Sequence, residues 1–426
     1  MKKIRVVALF VALILVLTVF ATGCGSDDAS SGGSDEETIK IGILFPFSGS
    51  LAKLGEETYA GVEYAQWEIN EAGGINGKQV EFVIADAVDA TAAVAEAERL
   101  ITVEGCKVIV GSYSSSISQA ASEVAERNGV IYWETGGVAK SITERGFQYL
   151  FRVCPTSAEY GTIAADYTND EIGPALGVDP KDLKIAIIYE DGAYGVAVSE
   201  AAEARAEELG LNVVVSEAYS ATATDLSSLV MKVKAAEPDV IWATQYATDL
   251  LLFWKQAKEL GLTCKAYVGT GGATGTAEFR DAFPAEDTQY VLNVAFASDG
   301  SNEAYANGLT EFYAAYEEKN GTPPPSVYTI VGYSGAKVLW QVLEDAGEMD
   351  PEKIREAALA IDIPEGSLPT GWGVKFAGPD EENAGQNLRA HNIVDQLQDG
   401  ELVVLYPEAA KDPDSKLYLP LPYLAG

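Results

Sequence analysis

IKIGILFPFSGSLAKLGEETYAGVEYAQWEINEAGGINGKQVEFVIAD, residues Ile39–Asp86, contains a complete strand–helix–strand unit. Ile39–Leu44 is a short apolar run, the pattern of a strand covered on both faces. Leu54–Ala72 spaces its apolar residues as an amphipathic helix, and Gly73-Gly74 supplies the left-handed stop. Gln79–Asp86 is the next strand. Two strands separated by one such helix run parallel, with a right-handed crossover.

The alternation continues toward the C-terminus. A helix is expected from Thr91 to about Val103, a strand at Lys107–Val110, a helix from about Ile117 to Asn128 and a strand at Val130–Trp133. A second series begins after Arg152. It has a helix at Ala158–Thr168, a Pro/Gly/Asp-rich loop at Gly173–Asp182, and strands at Lys184–Tyr189, Asn212–Ala218, Val240–Thr244 and Lys265–Gly269. Helices at Val196–Leu209, Leu226–Ala236 and Thr248–Leu260 separate those strands, and Lys265–Gly269 closes the series. The last third offers long helices at Ala304–Asn320 and Val327–Ala346, a shorter one at Pro351–Ala360, and a hairpin turn at Asp399-Gly400 between Arg389–Leu397 and Glu401–Tyr406. The 388 residues from Ile39 onward exceed one ordinary core. The expected fold class is α/β with two lobes of parallel sheet, which the last third completes.

The N-terminal side carries an address. Met1-Lys2-Lys3-Ile4-Arg5 is basic, Val6–Phe20 is apolar, and Ala21-Thr22-Gly23 is followed by Cys24. This is a secretory signal whose apolar run is short of the ~20 residues of a membrane span. A cysteine directly after Gly23 marks residues 1–23 as a lipoprotein signal peptide and Cys24 as the lipidation site. Plain secretion or an uncleaved anchor would also place the body outside the cytoplasm. Residues 24–38, with GSDDASSGGSDEET at Gly25–Thr38, form a flexible linker.

Charge and composition exclude several functions. The formal net charge is −35, against the basic surface that nucleic acid requires. His391 is the single histidine, so a histidine-based triad has one candidate and no surrounding motif. Cys106, Cys154 and Cys264 are widely spaced and unlike a zinc set; buried free thiols are expected, with one disulfide possible. Gly269–Gly275 (GTGGATG) matches a dinucleotide loop in composition only. No enzymatic activity, metal or cofactor is expected.

Parallel sheets bind ligands beyond the carboxyl ends of their strands. That rule selects Phe45–Ser50, Gly111–Ser116, Glu134–Val138, Glu190–Gly195 and Gly269–Gly272. Ser115 and Ser116 stand at a helix cap, where hydroxyls and free N–H groups suit a carboxylate; equally, they suit capping alone. Tyr113, Tyr194 and Tyr246 could wall a pocket or serve as core edges.

These segments resemble one family. Ile39–Asp86, GSYSSSISQAASEVAERNGV (Gly111–Val130), IAIIYEDGAYG (Ile185–Gly195) and VDQLQDGELVVLYP (Val394–Pro407) are similar to the extracytoplasmic branched-chain amino-acid-binding proteins of ABC importers, the Leu/Ile/Val-binding family. The resemblance implies two Rossmann-like lobes with parallel sheets joined by three crossovers, the type I periplasmic binding protein fold, with the ligand in the cleft. Residues 39–156 and 287–387 would form lobe 1, and 157–286 and 388–426 lobe 2. It also implies that Ser115 holds a ligand carboxylate with help from Gly136, Gly137 and Val138, and that Tyr194 and Tyr246 lie against the ligand. The family's carboxylate-binding threonine falls at Val138 and its ammonium-binding glutamate at Gly271. Either Glu134 or Asp191 substitutes, or the ligand is a carboxylate, amide or aromatic acid without an α-ammonium. The implied partners are a small amino acid or related carboxylate or amide, the ABC permease subunits, and the membrane through the lipid anchor. The protein is expected to be a monomer at the outer face of the cell membrane. A ligand-sensing module for a receptor or kinase is the alternative.

Overall fold

A computed structural model describes residues 38–424 except 272. The signal peptide, Cys24 and most of the linker lie outside the described residues. From Thr38 onward the chain is one compact unit. Its first sheet has five parallel strands in the order β2-β1-β3-β4-β5: β1 (Ile39–Phe45), β2 (Val80–Asp86), β3 (Val108–Gly111), β4 (Ile131–Glu134) and β5 (Leu150–Arg152). Helices α1 (Ala52–Glu71), α2 (Ala90–Thr102) and α3 (Ser115–Arg127) connect the first four. The central strands are apolar because helices cover both faces, and every residue of β3 and β4 is buried.

The chain then enters a second layered body. Its helices are α4 (Ser157–Tyr167), α5 (Gly173–Leu176), α6 (Ala193–Leu209), α7 (Ser227–Ala235), α8 (Ala247–Glu259), α9 (Ala277–Ala282) and α10 (Ala285–Thr288). The strands β6 (Lys184–Glu190), β7 (Asn212–Tyr219), β8 (Val240–Thr244), β9 (Ala266–Thr270) and β10 (Leu292–Ala295) are mutually parallel. The hairpin β11 (Ile393–Gln398) and β12 (Glu401–Tyr406) adds antiparallel strands, giving the order β12-β11-β10-β9-β8-β6-β7. Its turn has φ of 52° at Asp399 and 90° at Gly400, the left-handed pair that an Asp-Gly hairpin requires.

Helices α11 (Leu309–Asn320), α12 (Val327–Ala346) and α13 (Pro351–Ala360) return to the first body. The Tyr64 ring of α1 meets Phe312 of α11 at 5.8 Å. Along α1 and α12 the backbones nearly touch: a Cβ on Gly61 would lie 1.9 Å from the Thr329 carbonyl. Trp340 Nε1 donates to the Ala65 carbonyl and Trp133 Nε1 to that of Gly335, fixing α12 on both α1 and the sheet.

Several features differ from the sequence expectation: the loop expected at Gly173–Asp182 opens with the short helix α5, and α9 and α10 follow β9 where no helix is expected. The parallel series continues past β9 into β10, so Leu292–Ala295 belongs to the seven-stranded sheet and not to the lobe expected to start at 287. β5 is an additional three-residue strand. The helix expected from Ala304 begins at Leu309, because Asn302 ties the intervening turn to the Ala409 and Lys411 carbonyls. The chain passes between the sheets three times: from β5 to α4, from β10 toward α11, and from Asn387 to β11. Cys106, Cys154 and Cys264 are buried free thiols.

Candidate functional site

The carboxyl ends of β3, β4, β6, β8, β9 and β10, with the starts of α4 and α12, converge on a small aromatic cavity. Its lining is Tyr113, Gly136, Val138, Tyr160, Tyr194, Tyr246, Gly271, Phe296 and Tyr328. The rings interlock by edge contacts: Tyr113 meets Tyr246 at 6.1 Å and Tyr328 at 6.0 Å, while Phe296 meets Tyr160 at 5.6 Å and Tyr328 at 5.8 Å. Tyr194 tilts onto Tyr246 at 5.2 Å.

Most of these phenols have a role beyond packing. Tyr113 donates to the Leu51 carbonyl at 2.7 Å, Tyr194 to that of Thr270, and Tyr328 to that of Gly271. Tyr160 is fully buried and its hydroxyl has no partner. Burial drives the Tyr113, Tyr160, Tyr194 and Tyr246 phenols well above their usual pKa, so each remains a donor at neutral pH. No charged side chain is among the described lining residues. Carboxylates outside the lining act on these phenols: Glu57 and Asp249 raise that of Tyr113, and Glu190 and Asp249 raise those of Tyr194 and Tyr246; Glu57 and Asp249 each leave one oxygen unpartnered.

Six of the ten residues singled out from the sequence line this cavity: Tyr113, Gly136, Val138, Tyr194, Tyr246 and Gly271. Ser115, buried, accepts from the Val138 and Ala139 N–H groups at 3.2 and 3.1 Å, and so fastens the β4 loop to α3. Ser116 is half-buried at the start of α3. Gly137 lies within the β4 loop, its N–H donated to Glu134 Oε1 and its carbonyl accepting from Arg152. Glu134 turns back on that loop, accepting from the Gly136 and Gly137 N–H groups. Asp191 is exposed. Glu190, at the end of β6, repeats the Glu134 device by accepting from the Gly192 and Gly195 N–H groups.

Tyr160, Phe296 and Tyr328 escape the sequence reading. Phe296 directly follows β10, so the rule about strand carboxyl ends would have selected it had that strand been read. Tyr160 and Tyr328 occupy the first turns of α4 and α12, where tyrosine reads as core.

Burial pushes the carboxyls of Glu134, Asp249 and Asp395 up to about 7. Their folded pKa values exceed the unfolded ones, so their stabilisation is complete below about pH 4 and is lost as pH rises toward 7. His391, pushed down by burial, opposes this effect below its ordinary value. The melting temperature is therefore expected to fall between about pH 4 and pH 7; a rise across that interval in a thermal-shift series would contradict the assignment.

The sequence profile of the periplasmic binding protein family matches residues 38–393. The chain is 41% identical over 397 residues to Leu/Ile/Val-binding protein homolog 7 of Brucella abortus, covering 93% of this chain and 97% of the relative. Among solved structures it is similar to the branched-chain amino acid transporter substrate binding protein LivJ from Streptococcus pneumoniae, in complex with isoleucine. That match has a TM-score of 0.72 at 23% identity over 88% of this chain and 99% of the other. It is also similar to an ABC transporter solute binding protein from R. palustris in complex with benzoate, with a TM-score of 0.73 at 20% identity over 89% and 99% of the two chains. These likenesses fit the two layered sheets and their three connections, and the relatives are binding proteins rather than enzymes. The chain accordingly belongs to the extracytoplasmic periplasmic binding proteins, in the Leu/Ile/Val-binding family of ABC importer components.

Proposed function

We propose that this protein captures a small carboxylate or amide with an apolar or aromatic body in the cleft between its lobes and delivers it to a membrane permease. Lipid on Cys24 would hold it at the outer face of the membrane. The observation that carries the ligand class is the cavity lining: aromatic rings and backbone, with no charged side chain among the described residues. Glu134 is engaged by its own loop and Asp191 is exposed. The ammonium of an amino acid would have to reach Glu57, Glu190 or Asp249, which stand outside the lining. A carboxylate without an amine avoids burying that unpaired charge. Benzoate in the R. palustris protein and isoleucine in LivJ mark the two chemical alternatives. Capture would proceed by hinge closure of the lobes.

Thermal-shift and calorimetric titration with benzoate, benzamide, leucine and isoleucine tests this reading. A ligand at 100 times its Kd stabilises the protein by about 2.7 kcal/mol. Benzoate or benzamide is expected to produce such a shift, and the two amino acids a smaller one. Tyr160→Phe removes the unpartnered hydroxyl and is expected to weaken binding by about 0.5–1.5 kcal/mol while leaving the ligand-free protein as stable as before. No shift with any of the four compounds would sink the proposal; a larger shift with leucine would move the ligand class to amino acids.

A further inference from the structure

The two lobes meet through groups of the protein itself. Tyr328, in the first turn of α12, reaches across from the first lobe and donates its phenol to the carbonyl of Gly271, in the loop after β9 of the second. Tyr246, at the cap of α8 in the second lobe, sets its phenol against the Ser114 hydroxyl at the cap of α3 in the first. Ser114 makes no side-chain bond to its own helix, which leaves the hydroxyl to the crossing contact. An apolar seam lies beside them: Ala197 of α6 is buried with Ile117, Ala121 and Ala139 of the first lobe.

Donor and acceptor are each fixed on their own lobe. Ser326 caps α12 by accepting from the Tyr328 N–H at 3.3 Å, and Thr329 donates to the Glu57 carbonyl of α1 at 2.9 Å. The phenol therefore projects from a rigid helix start. The Gly271 carbonyl is equally constrained. The Gly271 N–H is held by the Val294 carbonyl at 2.9 Å, Tyr194 donates to the preceding carbonyl of Thr270, and the Thr270 hydroxyl pairs with that of Thr244 at 2.7 Å. Rigid partners on two bodies do not follow one another when the bodies rotate. The bond exists in the closed arrangement and breaks as the lobes part, an all-or-none contact rather than a graded one.

The scale of the effect follows from hydration. A phenol and a carbonyl that separate are both taken up by water, so one such bond shifts an open–closed equilibrium by only about 2- to 10-fold. That is enough to tune a hinge and too little to lock it. The Lys140–Glu200 ion pair also crosses between the lobes, but at 3.7 Å between exposed side chains it adds little. The buried phenol contacts beside the cavity are the stronger link.

We propose that Tyr328 and Gly271 form a clasp that sets the open–closed equilibrium of the ligand-free protein, with Tyr246 and Ser114 as its second strand. A ligand adds its own contacts to a closed state that the clasp already populates. The Tyr328 hydroxyl is spent on Gly271, and apparent affinity scales with the closed fraction. The clasp therefore tightens every ligand by one common factor, whatever its chemistry. It rests on the hinge closure invoked above and not on the ligand class.

Small-angle X-ray scattering on the purified full-length chain without ligand tests it, comparing wild type with Tyr328→Phe, which deletes a single oxygen. The radius of gyration is expected to rise in the variant as the closed fraction falls. Tyr267→Phe is the control: it removes an equally buried phenol bond, to Gln245, inside the second lobe, and is expected to leave the radius unchanged. Circular dichroism checks the fold of both variants. Calorimetry with benzoate and benzamide gives a second readout, in which Tyr328→Phe is expected to weaken both by one common factor of about 2- to 10-fold. An unchanged radius in Tyr328→Phe, or an equal rise in Tyr267→Phe, would overturn the clasp even where both compounds bind. Unequal losses for the two compounds would make Tyr328 a ligand contact and overturn it as well. A raised radius with neither compound binding supports the clasp and counts against the ligand class alone.

Discussion

Arg152→Ala is expected to destabilise the protein by about 3–5 kcal/mol, measured by urea denaturation. The guanidinium is fully buried at the end of β5. Its Nε donates to Gln386 Oε1 at 2.6 Å, Nη1 to the Gly137 and Ala139 carbonyls at 3.2 and 2.7 Å, and Nη2 to Thr143 Oγ1 at 3.0 Å. The Arg152 backbone bonds to Gly385 and Asn387 on either side of the same contact. One side chain therefore ties the β4 loop, the turn that follows it and the last segment to pass between the sheets. Alanine would strand several buried acceptors and leave a cavity. Arg152→Lys, with one charge but no fork, is expected to recover only part of the loss. A cost below about 1 kcal/mol for the alanine variant would show that water replaces the guanidinium and that this anchor is dispensable.

Gly271→Ala is expected to weaken ligand binding in the cleft by about 100-fold or more. Gly271 has φ of +128°, a conformation that side chains with a Cβ rarely adopt. A Cβ there would lie 1.6 Å from the Tyr194 hydroxyl oxygen. The residue also accepts the Tyr328 hydroxyl and donates its N–H to the Val294 carbonyl at 2.9 Å. Moving it displaces two rings of the cavity and the contact that α12 makes with the β9 loop. The backbone strain alone costs about 1–3 kcal/mol. Calorimetric titration of whichever of the four test compounds binds the wild type is the measurement. Affinity within threefold of wild type would mean that the closed aromatic cavity is not the binding site.

Gly271 also shows where sequence reading stops. Its place after a parallel strand marks it as a site residue, and the departure from the family's glutamate is visible in the letters. That the position is filled by the Tyr194 ring, reaching across from the first turn of α6, is a tertiary fact. The same division holds throughout. Val327–Ala346 and Pro351–Ala360 match their expected bounds because serine and aspartate caps and a proline mark them locally. β5 and β10 escape the sequence reading: β3 and β4 are as short, but each of those follows a helix of the regular alternation, whereas β5 follows β4 without one and β10 lies beyond the repeat. Ser115 and Ser116 are expected to cap a helix near Ile117, yet the helix starts at Ser115 with Ser114 at its cap, and the Ser115 hydroxyl accepts instead from the Val138 and Ala139 amides, which no spacing rule supplies. Tyr160 and Phe296 sit on segments leading between the sheets, so their meeting at one cavity depends on how those segments are joined.

Trp372 stands behind the aromatic cavity. Its ring meets Phe296, a wall of that cavity, at 6.2 Å, and its indole N–H donates to the carbonyl of His391, on the segment entering β11, at 2.8 Å. The side chain is fully buried. The protein thus carries an intrinsic fluorophore whose emission senses the dielectric on one side and the hydrogen bond on the other. Five other tryptophans emit with it, so the part of a ligand-induced spectral change that a Trp372→Phe variant loses is the part this ring reports, without an attached dye.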